Sequence, residues 1–383
     1  MRILMAGDFC QTNRLDSLIK ERKFSEFLDN IKPIVDSSQY SIVNFEFPIV
    51  QKQTKARPIP KCGPNLKGTV EAVEAIKYSG FKCCTLANNH ILDQGESCAL
   101  ETALLLRENG IDVAGFGKNR AEAKRTLYKE IDRQTLAIIN CCEHEFSIAT
   151  ASTAGSNELN PVAQYNAIRE AKLKADYVLV IVHGGHEHFQ LPSPRMVETY
   201  RFFIDAGADA VVNHHQHCYS GYEIYNDKPI FYGLGNFLFD GNRAGGKLTW
   251  NEGFLLKLDF EKSCIKFELI PYTQCLETPT VVFMQEKEKQ TFFEHIEALN
   301  QIISQPESLN DAVNAYYSTC AKTELLNMEP YASRLFRKLL SLRFAPSFLK
   351  GKKLLIILNR ISCESLREKV LYALNNRLNN STY

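Results

Sequence analysis

The chain has 383 residues, 45% of them hydrophobic and 23% charged, with 45 basic against 44 acidic side chains and a formal net charge of +1. That length carries a full apolar core in one or two domains, and the balanced charge supplies no overall field toward nucleic acid. The apolar run of the first eight residues is too short for a signal peptide, and no stretch holds about eighteen uninterrupted apolar residues, so no bilayer span is expected.

A first strand, Arg2 to Ala6, leads into Gly7-Asp8, and the next twenty residues read as helical as far as Pro33. A second strand, Tyr40 to Val43, runs into Asn44-Phe45-Glu46-Phe47-Pro48, where the two-residue period places Asn44 and Glu46 on one face and the phenylalanines on the other. Pro48 cannot donate to a ladder and leaves Glu46 at the strand tip. Residues 51–68 read as a loop, and one this long in a compact domain is more often functional than idle. A helix closed by Gly80 precedes the buried-type strand Cys83 to Ala87, which ends in Asn88-Asn89-His90, with Asp93 close behind.

A further helix runs from Ser97 to Asn109, followed by short strands at 111–116 and 136–142. Asn160-Pro161 opens a helix to about Lys174. The strand Tyr177 to Val182 ends in His183-Gly184-Gly185-His186-Glu187-His188, and Pro194 begins a helix through Ala206. Ala210 to Val212 is another buried strand, followed by His214, His215 and His217. A last apolar run ends in Gly233-Leu234-Gly235-Asn236. In extended backbone His215 and His217 share a face and could share a metal. Residues 253–260 and 265–272 alternate as an antiparallel hairpin, and from Glu286 the pattern is helical.

Seven of the nine histidines thus fall in three clusters, each just past an apolar strand. Any single cluster reads equally as a polar turn. Jointly, imidazoles and the carboxylates Asp8 and Glu46 on one sheet edge form a donor set suited to Mn, Fe or Zn. Twelve cysteines are scattered without a Cys-x-x-Cys spacing and sit mostly in apolar runs, as expected of a reduced cytosolic chain.

The sequence divides at 275. Residues 276–383 are expected to be a helical extension. Its last part, 331–383, has eleven basic residues against two acidic ones, net +9, which leaves net −8 for residues 1–330. A basic amphipathic segment can rest on the inner face of an anionic membrane as a peripheral contact or meet an acidic polymer. The plainer alternative is a helical appendage with a solvated face.

Five ordered motifs resemble the bacterial capsule-synthesis CapA family, a poly-γ-glutamate biosynthesis branch of the calcineurin-like metallophosphoesterases. They are Gly7-Asp8, Asn44-x-Glu46-x-Pro48, Asn88-Asn89-His90-x-x-Asp93, His183-x-Gly185-x-Glu187, and His214-His215-x-His217 with the closing Gly235-Asn236. The resemblance covers residues 1–275 and implies a four-layer α/β/β/α sandwich with two divalent transition metal ions at the strand ends. Asp8 and His217 would hold one ion, Asn89, His183 and His215 the other, and Glu46 would bridge them. His90 would be the general acid, oriented by Asp93. Cys10, Asn44, Glu187, His214 and Asn236 would line the site. Many relatives of this superfamily carry Asp-x-His in the first motif, where this chain has Asp8-Phe9-Cys10, which predicts a weaker first ion site unless Cys10 ligates as a thiolate.

The resulting expectation is a metal-dependent hydrolase of the phosphoesterase type in surface-polymer biosynthesis, acting on an anionic small molecule or polymer. A non-catalytic polymer-binding component of the same fold and an amidohydrolase on γ-glutamyl bonds are the alternatives.

Overall fold

The computed structural model describes residues 1–241, 248–261, 264–330, 333–342 and 344–362, with 366–367, 369–371 and 373–374 beyond them. The chain forms two compact units, Met1–Asn310 and Asp311–Tyr383.

Two large sheets, with a small two-stranded one of Phe116–Gly117 and Gly155–Ser156, build the first unit. The first runs in the order Val281–Phe283, Ile265–Gln274, Glu252–Phe260, Arg2–Cys10, Tyr40–Phe45, Cys83–Thr85 and Asp112–Ala114, and Asn236–Phe239 also pairs with Arg2–Cys10. The second runs Tyr222–Tyr225, Lys228–Phe231, Ala210–His214, Tyr177–His183, Gln134–Cys142 and Leu127–Ile131. The strands at the centre of each sheet are parallel. Every βαβ crossover therefore delivers its strand's carboxyl end to the same edge, where a ligand site belongs.

Helices cover the outer faces. Leu15, Ile19, Phe27, Val73, Ile76 and Leu106 pack in one core cluster with strand residues Leu4, Val43 and Cys84 of the first sheet. On the second sheet, Asn160 and Ser193 cap the helices Pro161–Lys172 and Pro194–Ala206 by accepting from first-turn amides. Those helices bury Ile168, Ala171, Tyr200 and Phe203. Between the sheets, Tyr177 meets Phe260 at 5.0 Å and Phe231 meets Phe267 at 5.1 Å, ring centre to ring centre. The layers are thus the expected α/β/β/α.

Several details differ from the sequence reading. The first strand continues through Asp8 to Cys10, because its register shifts beside Asp8 on both neighbours and the strand bulges instead of ending. Gly7 permits this, since a Cβ there would overlap the Gly235 carbonyl oxygen. The expected helix after residue 12 is three short ones, Asn13–Lys20, Ser25–Leu28 and Lys32–Asp36. Residues 276–310 belong with the first unit: Val281–Phe283 pairs with Ile265–Gln274, and Phe292 on the helix Glu286–Ser304 packs 4.6 Å from Tyr219. A short strand on a sheet edge and a helix that buries its apolar stripe carry no signal of which unit they join.

In the second unit, Ser333 caps the helix Arg334–Ser341, the Phe348 amide donates to Glu329 at 3.0 Å, and a helix spans Gly351–Ser362. Among the described residues no helix is long and apolar enough to cross a membrane.

Candidate metal centre

The carboxyl ends of five strands converge on a buried polar cluster. From the first sheet come Asp8, Asn44, Glu46 and the Asn88–Asp93 turn, and from the second His183 and the 214–217 segment. Alternation works as expected at the second strand. Phe45 and Phe47 point into the core beside Phe9, with ring centres 4.2 Å from each other, while Asn44 and Glu46 face the cluster.

Asn44 organises the acidic side. Its Nδ2 donates to Asp8 Oδ1 at 2.8 Å and to Glu46 Oε2 at 3.3 Å, and its Oδ1 accepts from the Thr85 hydroxyl at 3.1 Å. The other Glu46 oxygen, Oε1, is buried and has no hydrogen-bond partner among the described residues. It lies 3.7 Å from His183 Nε2 and 3.7 Å from His217 Nε2. Glu46 is therefore shared by two ligand groups, Glu46–His183–His215 and Asp8–Glu46–His217, whose donor atoms in each group lie within 4.8 Å of one another.

His183 Nε2 is 3.1 Å from Asn89 Oδ1 and 3.1 Å from His215 Nδ1, so Asn89 adjoins the Glu46–His183–His215 group through His183. On the other side His217 Nδ1 meets Asn236 Oδ1 at 2.9 Å and Asp8 Oδ2 at 3.5 Å, which leaves Nε2 toward Glu46. A ligating imidazole is usually fixed this way, its second nitrogen held by a neighbouring oxygen.

His215 and His217 reach the cluster by a different route from the one alternation predicts. The strand stops at His214, and both residues have positive φ, 95° and 55°. Such backbone is costly for a residue with a Cβ and is kept where the surroundings enforce it.

The electrostatics call for a cation. Burial alone would raise the Asp8 carboxyl, but contact with His217 and the nearby His214 and His183 hold it below the ordinary carboxylate range. Burial and the Asp8 charge push Glu46 well above its usual range. Burial disfavours the charged form of His217, yet Glu46 and Asp8 push it up to about 10. His183 is held well below the usual imidazole range by burial and by His215, and His215 is lowered by burial and by His217. Burial keeps His183 and His215 neutral while His217 is drawn toward its charged form by the two buried carboxylates, and the orphaned Glu46 oxygen lies between His183 and His217, where a cation would go. The donor set fits divalent transition metal ions.

Of the other expected residues, His214 is buried with Nδ1 3.6 Å from Asp8 Oδ1, and neither ring nitrogen has a hydrogen-bond partner among the described residues. It belongs to neither ligand group. Glu187 is half-exposed at the rim, 3.9 Å from His188 Nε2. Cys10 does not meet the condition for ligation as a thiolate. It packs in the apolar core cluster, and burial, reinforced by Glu46, Asp93 and Asp8, pushes its thiol up and away from ionisation.

Beside the cluster, His90 Nδ1 meets Asp93 Oδ2 at 2.7 Å. Asn88 shapes this turn, its Nδ2 donating to Phe45 O at 2.9 Å while its Oδ1 accepts from the His90 amide. The residue not foreseen is Lys61, from the long 51–68 loop. Its side chain is 1% exposed, with Nζ 2.5 Å from Asp93 Oδ1 and 3.0 Å from His90 Nδ1. The Leu66 amide donates to Asp93 Oδ2 at 2.6 Å, so the loop clamps this carboxylate from both sides. Nothing in a solvated-looking loop marks which of its lysines turns inward. Trp250, against the His217 ring at 4.8 Å, was likewise not expected.

Lys61→Met should destabilise the protein by about 3–5 kcal/mol, because it leaves the wholly buried Asp93 charge without its counter-ion. Adding Asp93→Asn should restore part of that loss. Urea unfolding of the two variants checks this, and a Lys61→Met midpoint equal to that of the parent would contradict the pairing.

Comparison with known proteins matches residues 2–241 to the family model described as "Bacterial capsule synthesis protein PGA_cap". The chain is 30% identical over 246 residues to the "Capsule biosynthesis protein CapA" of Bacillus anthracis, covering 63% of this chain and 60% of that protein. It is 29% identical over 237 residues to the "PGA biosynthesis protein CapA" of Bacillus subtilis, covering 61% and 62%. The match thus spans about three fifths of those relatives' length. Among solved structures, a phosphatase of Mycoplasma pneumoniae aligns with a TM-score of 0.43 and 14% identity over 77% of this chain and 98% of that one.

Proposed function

The chain belongs to the bacterial capsule synthesis protein family PGA_cap, and from that premise we propose that it is a metal-dependent hydrolase, of the phosphoesterase type, serving the synthesis of an anionic surface polymer. The observation that carries this reading is Glu46 Oε1, buried, without a hydrogen-bond partner among the described residues, and common to two groups of ligand atoms. A bridging carboxylate between two ions is the usual clamp for in-line displacement at phosphorus.

Asp8, Glu46 and His217 would hold one ion, and Glu46, Asn89, His183 and His215 the other. When bound, such ions polarise the substrate's oxygens and lower the pKa of a coordinated water. The protein's own groups do the rest. Asn44 and Asn236 orient Asp8 and His217 through the hydrogen bonds given above. His90 is the proton donor for the leaving oxygen. With Nδ1 turned to Asp93, its Nε2 is the nitrogen left for the substrate, and Lys61 and the Leu66 amide hold Asp93 in place. The names of the relatives point to capsule or PGA biosynthesis as the setting, and a fold alone does not fix the substrate.

The purified protein should contain Mn, Fe or Zn, and should hydrolyse an aryl phosphate faster after Mn is added. Metal analysis and a chromogenic phosphate assay on the same preparation test both halves. Bound metal with no turnover of phosphate esters or γ-glutamyl amides would favour the reading of a polymer-binding component; absence of both metal and turnover would remove the proposed centre.

A further inference from the structure

We infer that the helix Gly351–Ser362 is a docking surface for an anionic lipid bilayer. This rests on the second unit alone and is independent of the hydrolase reading. Five aliphatic side chains of this helix stand in solvent: Leu354, Leu355, Ile356, Leu358 and Ile361 are 39, 66, 44, 59 and 50% exposed. Single exposed leucines are ordinary, but five on one helix of twelve residues form a patch that needs a partner.

Their spacing gives the patch a shape. Leu354, Ile357, Leu358 and Ile361 recur at i, i+3, i+4 and i+7, which is one face of an α-helix; of the five exposed side chains Leu354, Leu358 and Ile361 lie on it, Leu355 lies at its edge and Ile356 lies off it. Lys353 and Arg360 lie seven apart along one flank of that face, and Lys352 lies opposite it. The shorter helix Arg334–Ser341 sorts its residues the same way. Leu335, 70% exposed, shares a face with Leu339, while Arg334, Arg337 and Lys338 occupy the other.

Charge selects the occupant. Residues 331–383 carry net +9 in a chain whose remaining 330 residues carry net −8. A soluble acidic polymer would meet the lysines but leave the aliphatic face in water. A neutral apolar groove would accept the leucines and gain nothing from the charge. An anionic bilayer satisfies both, taking the apolar face into the acyl boundary while the basic side chains reach the headgroups. The helix is too short to cross the bilayer, so it would lie in the plane of the surface.

The test uses the full chain and vesicles of phosphatidylcholine with or without phosphatidylserine. The protein should pellet with the phosphatidylserine vesicles and be released by salt, since the attraction fades over about 8 Å at physiological ionic strength. Lys352→Glu/Lys353→Glu should weaken partitioning by more than roughly tenfold. Leu354→Glu/Leu358→Glu should abolish it; all four side chains are exposed, so neither variant should unfold the chain. Failure of the parent to pellet would overturn the inference, and so would equal pelleting of parent and both variants. A lipid-independent dimer lost in the leucine variant would also overturn it, identifying a second copy as the occupant.

Discussion

Replacing His183 with alanine should empty the ion position on the Glu46–His183–His215 side. His183 Nε2 stands 3.1 Å from both Asn89 Oδ1 and His215 Nδ1 and 3.7 Å from Glu46 Oε1, so it is the donor that all the others on that side surround. Loss of a group that merely orients a ligand costs about 10–100-fold in metal affinity. Removing the ligand itself should exceed the upper end of that range. The three remaining donors belong to two side chains in a neutral state and one shared carboxylate, too weak a set to compete with water. Metal analysis after equilibration with Mn should show the stoichiometry falling, and hydrolysis should fall with it. Glu46→Gln, which touches both groups, should deplete both positions. Unchanged metal content in His183→Ala would exclude His183 from the centre.

His90→Asn should do the opposite, leaving metal content intact while slowing turnover. His90 belongs to neither ligand group, and its Nδ1 is committed to Asp93 at 2.7 Å. A general acid contributes on the order of 10²–10⁴-fold, and its contribution shrinks as the leaving group becomes more acidic. Turnover of an alkyl phosphate should therefore fall within that range, while turnover of a nitrophenyl phosphate should fall much less. Equal losses on both substrates would assign His90 a structural role, as part of the buried Asp93–Lys61 cluster.

How much of this was legible in the sequence follows from the range over which each feature is fixed. An apolar run sets a buried strand, and the polar residue that ends it must lie at the strand's carboxyl end. Parallel connection then brings all such ends to one edge, so Asp8, Glu46 and the histidines after the other strands could be gathered before any coordinates, while Asn89 as a ligand came only from the resemblance to the CapA family. The pairing of Asn44 with Glu46 against Phe45 and Phe47 needed only the two-residue period of a strand.

Tertiary structure decided what local pattern leaves free. Cys10 sits two residues from Asp8 yet packs in the apolar core, because the strand bulges and continues where a simple end was expected. His215 and His217 converge through positive φ in a turn, a conformation imposed by packing and not by any repeat. Glu187 follows the same strand as His183 but faces the rim, since a loop after a strand has no fixed periodicity. Lys61 is the clearest case. In sequence it is one of several lysines in a loop of prolines and glycines, and solvated lysine is the ordinary expectation. Only the fold brings Asp93 to it, and a wholly buried carboxylate that needs a counter-charge is what draws a lysine out of water.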